Sequence, residues 1–136
     1  MWPDESARDA GPNMAYELFA RGTAFLESGH PGQAALLLER ATALLPGKTS
    51  VREALARACY ALGRFDRAAA EFAAITRRVP CNDYAHFGLG CSLLRLGHPL
   101  PARGSLRLAL AMRPDNADYA ERLAEAERLL SRTSRS

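Results

Sequence analysis

At 136 residues, 48% hydrophobic and 24% charged, with a formal charge of +3, the chain has the length of one domain with a modest core and an ordinary globular balance. No run approaches the ~20 apolar residues that span a bilayer, and Met1-Trp2-Pro3-Asp4-Glu5 lacks the positive region and apolar core of a secretory signal, so cytoplasmic residence without a membrane partner is expected. Every cation but Lys48 is an arginine, and the arginines alternate with carboxylates, as in Arg52-Glu53, Asp66-Arg67 and Glu121-Arg122, a mixture that suits solvated helix faces and argues against a nucleic-acid partner.

Residues 1–13 hold Pro3, Gly11, Pro12 and four charges, a composition that predicts a disordered tail. Beyond them a period of 34 governs the chain. Pro46, Pro80 and Pro114 keep that step, as do Gly29, Gly63 and Gly97, and Ala34, Ala68 and Ala102. Gly22/Ala56/Gly90, Leu38/Phe72/Leu106 and Ala41/Ile75/Ala109 repeat in the same register. Independent slots that hold one period through three copies divide the chain into units 15–48, 49–82 and 83–116.

Each slot has a mechanical job. Every unit opens with a helix, for which Asn13, then Thr49 or Ser50, then Asn82 or Asp83 offer N-caps. Gly29, Gly63 and Gly97 end that helix, where a left-handed residue costs little. A second helix follows, with Pro31 and Pro99 near its start, where a missing N–H does no harm, and Pro46, Pro80 and Pro114 stop it. The small residues let the paired helices approach closely, while Leu18, Leu55, Leu89, Phe25, Cys59 and Leu93 fill the rest of the seam. Residues 117–131 predict one more helix, with Leu123, Ala124, Leu129 and Leu130 apolar among many charges. It begins a fourth unit without completing one, as a terminal cap does. Residues 132–136 are expected to be a flexible end.

Catalysis and metal binding need a constellation that this pattern does not supply. His30 and His98 each follow a turn glycine and read as surface residues, and His86 reads as partly buried packing. His86 is five residues from both Cys81 and Cys91, which on a helix points the side chains about 140° apart. No second close-spaced pair supports zinc, no third group orients a nucleophile, and no glycine-rich phosphate loop follows a strand. The expectation is no catalytic residue, no metal and no cofactor. Three cysteines without close pairing argue for a reducing compartment. Cys59 reads as core, Cys81 as a loop residue and Cys91 as lying on the outer face of its helix.

The repeat resembles the tetratricopeptide repeat. That family's signature, aromatic-x2-Leu-Gly-x2-Tyr…Ala-x3-Phe…Pro, is met by Leu18-x2-Arg21-Gly22-x2-Phe25…Ala34-x3-Leu38…Pro46 in the first unit. The third unit reads His86-x2-Leu89-Gly90-x2-Leu93…Ala102-x3-Leu106…Pro114. Arg52 and His86 stand where the signature prefers Trp, and Arg21 where it prefers Leu. The resemblance covers residues 15–116 and implies an all-α fold, a right-handed superhelical stack of antiparallel helix pairs over residues 14–131.

The first helix of each unit carries a second stripe opposite its core face: Tyr16, Phe19, Thr23 and Leu26, then Ser50, Glu53, Arg57 and Tyr60, then Tyr84, Phe87, Cys91 and Leu94. A helix apolar on both faces must bury both, internally or against a partner. The resemblance implies that this stripe lines a concave groove for a ligand peptide, with Arg95 beside it and Glu121 and Glu125 of the cap at one end. The expected function is therefore an adaptor or chaperone-like module holding an apolar segment of a partner protein. A homodimer that buries the aromatic face is the alternative, and the tail, anchored by Trp2, is a third candidate occupant. Family members that clamp a chaperone's C-terminal carboxylate use Lys, Asn and Arg at slots matching Phe19, Thr23, Ala54, Tyr84 and Gly88, none of which is a suitable cation or amide.

Overall fold

The computed structural model describes the backbone over residues 3–135 and the side chains over residues 13–133, so Trp2 and the idea that it anchors the tail lie outside the described residues. The described residues form seven helices and no strand: α1 Pro3–Glu27, α2 Pro31–Leu44, α3 Thr49–Ala61, α4 Phe65–Arg78, α5 Asp83–Arg95, α6 Pro99–Met112 and α7 Ala117–Arg135. Three helix pairs and a closing helix are what the 34-residue period predicts.

The punctuation works as the sequence suggests. Gly29, Gly63 and Gly97 take φ of 83°, 79° and 82°, the left-handed conformation that ends α1, α3 and α5. Past two of these turns the chain folds back on the same bond: the His30 N–H reaches the Phe25 carbonyl at 2.8 Å and the His98 N–H reaches Leu93 at 2.9 Å. Pro31 and Pro99 are the first residues of α2 and α6.

The helix starts differ in part. Asn82 caps α5, its Oδ1 accepting from the Ala85 N–H at 3.0 Å, and Asn116 caps α7 in the same way from Tyr119 at 3.1 Å. The matching slot before α3 is Lys48, which cannot accept such a bond; Thr49 is already helical, so neither it nor Ser50 is the cap. Asn13 lies inside α1, which starts at Pro3 and continues through the segment whose composition suggested a tail. α7 likewise runs to Arg135, past the expected end at residue 131. Once nucleated, α7 extends at little cost through its polar end, whereas α1 runs through Gly11 and Pro12, two residues unfavourable inside a helix, against local propensity.

The chain divides into two compact units, Met1–Leu62 and Gly63–Ser136. In the first, α1 packs on α2 and α3, and α2 on α3. A Cβ at Gly22 would stand 2.7 Å from Leu38 Cγ, so the bare glycine is what lets α1 and α2 close. Leu18, Ala41 and Val51 form a buried cluster against which Phe19, Leu37 and Leu45 pack. In the second unit α4 packs on α5, α5 on α6 and α7, and α6 on α7. A Cβ at Gly90 would likewise stand 2.6 Å from Leu106 Cγ, repeating the Gly22–Leu38 arrangement two periods later. Ala102, Leu106 and Ala126 form the core here, with Phe87, Leu93, Leu94 and Leu123 around them. α7 thus supplies buried surface, as a cap should.

Arg52 and His86, the two polar residues in the slot where Trp is preferred, do matching work. Arg52 donates to the Pro46 carbonyl at 3.1 Å, and His86 donates from Nε2 to the Pro80 carbonyl at 2.9 Å. Each ties the start of a helix pair to the proline that ended the previous one.

Candidate partner-binding surface

In the first unit the stripe residues are unequally open. Tyr16 is 49% exposed, with the Lys48 ammonium 5.8 Å above its ring. Phe19 is half-buried on the Leu18/Ala41/Val51 cluster and so belongs largely to packing. Thr23 is half-buried, and its Oγ1 is closed off without a hydrogen-bond partner among the described residues. Burial raises the Glu53 carboxyl above the usual carboxylate range, and the Arg57 guanidinium partly opposes that rise. Arg57 is exposed and Tyr60 half-buried.

The second unit holds a continuous run of aromatic rings. Phe72 of α4 meets Tyr84 of α5 edge-on at 6.1 Å, Tyr84 meets Phe87 at 6.2 Å, and Phe87 stacks on Tyr119 of α7 at 4.6 Å. Such pairs contribute about 0.5–1.5 kcal/mol each beyond their buried area. Phe72 and Tyr119 are buried, Phe87 is half-buried, and Tyr84 keeps 36% of its surface open. The Tyr119 hydroxyl donates to Asp83 Oδ2 at 2.6 Å, and Arg113 Nε stands 3.7 Å from the same oxygen. Burial, then the bond to the Asp83 carboxylate, push the Tyr119 phenol well above the ordinary tyrosine value. Gly88 is the seat of this run, because a Cβ there would fall 2.4 Å from the tip of the Phe72 ring.

Cys91 is not on an outer face. It is 7% exposed, beneath the side of α7 that carries Asp118, Arg122 and Glu125. Burial pushes its thiol up to about 11, with Arg122 opposing, so at neutral pH it is a protonated small hydrophobe and no nucleophile. Arg95, exposed at the end of α5, lies 4.4 Å over the Phe65 ring of α4, a cation–π contact. Glu121 is exposed on α7. Cys59 is buried and Cys81 exposed, as expected.

Sequence reading did not single out Tyr119 or Phe65, and it took Asp83 only as a possible N-cap. Tyr119 had a readable signal: it shares the 34-residue register of Val51 and Ala85, both fully buried. Among the described residues no group of His, Cys, Asp and Glu could hold a metal ion, and no helix is long and apolar enough to cross a membrane.

Two family profiles, both described as Tetratricopeptide repeat, match residues 25–89 and 87–135. The chain belongs to the tetratricopeptide-repeat family. Its fold is all-α and of the tetratricopeptide type, with three repeats and a capping helix, and the family is one of protein-interaction scaffolds. Solved tetratricopeptide domains superpose closely. The first such domain of Spaghetti (RPAP3), bound to the HSP90 peptide SRMEEVD, gives a TM-score of 0.83 at 17% identity over 88% of this chain and 94% of that one. The second domain of human RPAP3, in complex with the HSP70 peptide SGPTIEEVD, gives 0.80 at 17% identity over 86% and 98%. The Sgt2 domain from Aspergillus fumigatus gives 0.82 at 18% identity over 90% and 82%. No curated protein matches the chain.

Proposed function

We propose that the chain is a protein-binding module that takes a short apolar segment of another protein against the aromatic stripe of its repeats, with Tyr84 as the anchoring ring of the second unit and Tyr16 as its counterpart in the first. The observation that carries this reading is Tyr84, braced edgewise by Phe72 and Phe87 yet 36% open. A ring already fixed by its neighbours loses little freedom when a ligand side chain closes on it, and such aromatics dominate binding energy at interfaces. Tyr16 holds the same slot two periods earlier and is 49% exposed. Phe19 and Phe87 act from the packed side, bracing the rings rather than meeting the ligand. Glu53, Arg57 and Tyr60 supply polar groups for a ligand backbone, Thr23 lines the stripe with its hydroxyl closed off, Arg95 and Glu121 extend the stripe, and Cys91 lies under it.

The segment is apolar rather than an acidic tail. The relatives solved with SRMEEVD and SGPTIEEVD hold peptides that end in acidic residues. In this chain the clamp slots are Phe19, Thr23, Ala54, Tyr84 and Gly88, which offer no cation, and the exposed Asp118 and Glu121 on α7 would repel such a tail. Selection of short random segments displayed on phage tests the reading. Enrichment of segments with bulky apolar side chains is expected, and their capture should fall with Tyr84→Ala. Enrichment of segments ending in acidic residues, or of none, contradicts it.

A further inference from the structure

The outer side of α6 carries an apolar row that the chain leaves open. Leu100 is 59% exposed, Leu108 51% and Met112 36%, each four or eight residues from the next. Gly104 completes the four-residue step between the two leucines. A Cβ added there meets nothing within 4 Å, so packing inside the chain does not require a glycine. Glycine in a helix interior is nevertheless a poor helix former. Its use here makes a notch between two leucines on an exposed i±4 row, and such rows are ridges by which helices interlock.

We propose that α6 is a self-association helix, through which two copies of the chain meet about a two-fold axis with their Gly104 backbones at closest approach. This surface is separate from the aromatic stripe and independent of what binds there. A two-fold contact requires a face that complements itself, and this one presents both the leucine knobs and the notch. Its charges point to the same occupant. The charged residues of α6 are Arg103 and Arg107. At about 100° per residue both fall on one flank of the Leu100–Gly104–Leu108 line, while Pro101, Ser105 and Met112 fall on the other. When two copies run parallel, the charged flank of each lies beside the uncharged flank of its partner, and no arginine faces its own copy. Glu127 Oε2, 3.5 Å from Arg107, further offsets the charge. One helix crossing buries less than the roughly 800 Å² per partner of a standard interface, so the dimer is weak and concentration-dependent.

Sedimentation equilibrium from about 5 to about 500 μM, a range in which small interfaces dissociate, tests this. The parent's average mass should rise above 14.8 kDa with concentration. Gly104→Gln fills the notch, and its Cβ meets nothing within 4 Å in the chain itself. It should raise the melting temperature by a few degrees, about 3 °C, through better helix propensity, yet weaken association about tenfold or more. Leu108→Glu should also abolish association. Leu36→Glu, at a leucine 66% exposed on α2, should leave it unchanged. A parent that stays monomeric throughout, a Gly104→Gln variant that associates like the parent, or a Leu36→Glu variant that dissociates equally would each overturn the proposal.

Discussion

Tyr119 joins α7 to α5 twice, through the stack on Phe87 and through the 2.6 Å hydrogen bond from its hydroxyl to Asp83. Removing only the hydroxyl, with Tyr119→Phe, takes a 2.6 Å donor from the Asp83 carboxylate and leaves it the more distant Arg113 at 3.7 Å. The expected cost is about 1–3 kcal/mol in urea unfolding. The phenol also sets a pH dependence. Below about 10 a tyrosine is protonated in both folded and unfolded chains. As pH rises past that value the unfolded chain sheds the proton and the folded one keeps it, so this contribution to stability is lost with rising pH. Part of the parent's alkaline destabilisation should therefore vanish in Tyr119→Phe; identical alkaline profiles would contradict the buried hydrogen bond. Gly88 makes a second claim at this scale. With Phe72 buried and 2.4 Å from the added Cβ, Gly88→Ala should destabilise by about 1–3 kcal/mol despite alanine's better helix propensity. Phe72→Leu should cost less in the Gly88→Ala background than in the parent, and additive losses in a double-mutant cycle would show that the two do not touch.

Among the elements, α7 is the one whose role is most exposed to test. Ala126 is fully buried with Ala102 and Leu106, Tyr119 seals the aromatic run, and Cys91 lies underneath. Deleting residues 117–136 should uncover these groups, lower the melting temperature and make Cys91 reactive toward a thiol reagent that otherwise reaches only Cys81 quickly; a truncated chain with the parent's melt and thiol kinetics would remove the cap from the account. The elements were the legible part of the sequence. A glycine at φ near 80°, a proline at a first turn and a small residue under a leucine each announce themselves locally, and the 34-residue period repeats the announcement three times. Burial of Cys91 was not legible, because it depends on how α7 lies across α5, and the charges of α7 drew notice away from Tyr119. The aromatic stripe was legible as a stripe. Which of its rings stay open was not, since Phe87 and Tyr84 differ only in what α4 and α7 place against them.

For the whole molecule, the decisive matter is whether the open aromatic stripe binds or merely packs. The period, the helix pairs and the family profiles all fix a tetratricopeptide scaffold, but a scaffold serves interaction only if some side chains are held ready and uncovered. Tyr84 meets both conditions. The clamp slots without cations add an expectation that SRMEEVD, the peptide held by a structural relative, shows no saturable binding by fluorescence anisotropy. The most direct test measures affinity and melting together for the parent and for Tyr84→Ala, using an apolar segment selected on the parent. The account expects Tyr84→Ala to lose about 1–3 kcal/mol of affinity, roughly five- to hundredfold, while the melting temperature changes little. Undiminished affinity, or a variant that loses binding only because it unfolds, would show that Tyr84 belongs to the core and that the partner binds elsewhere.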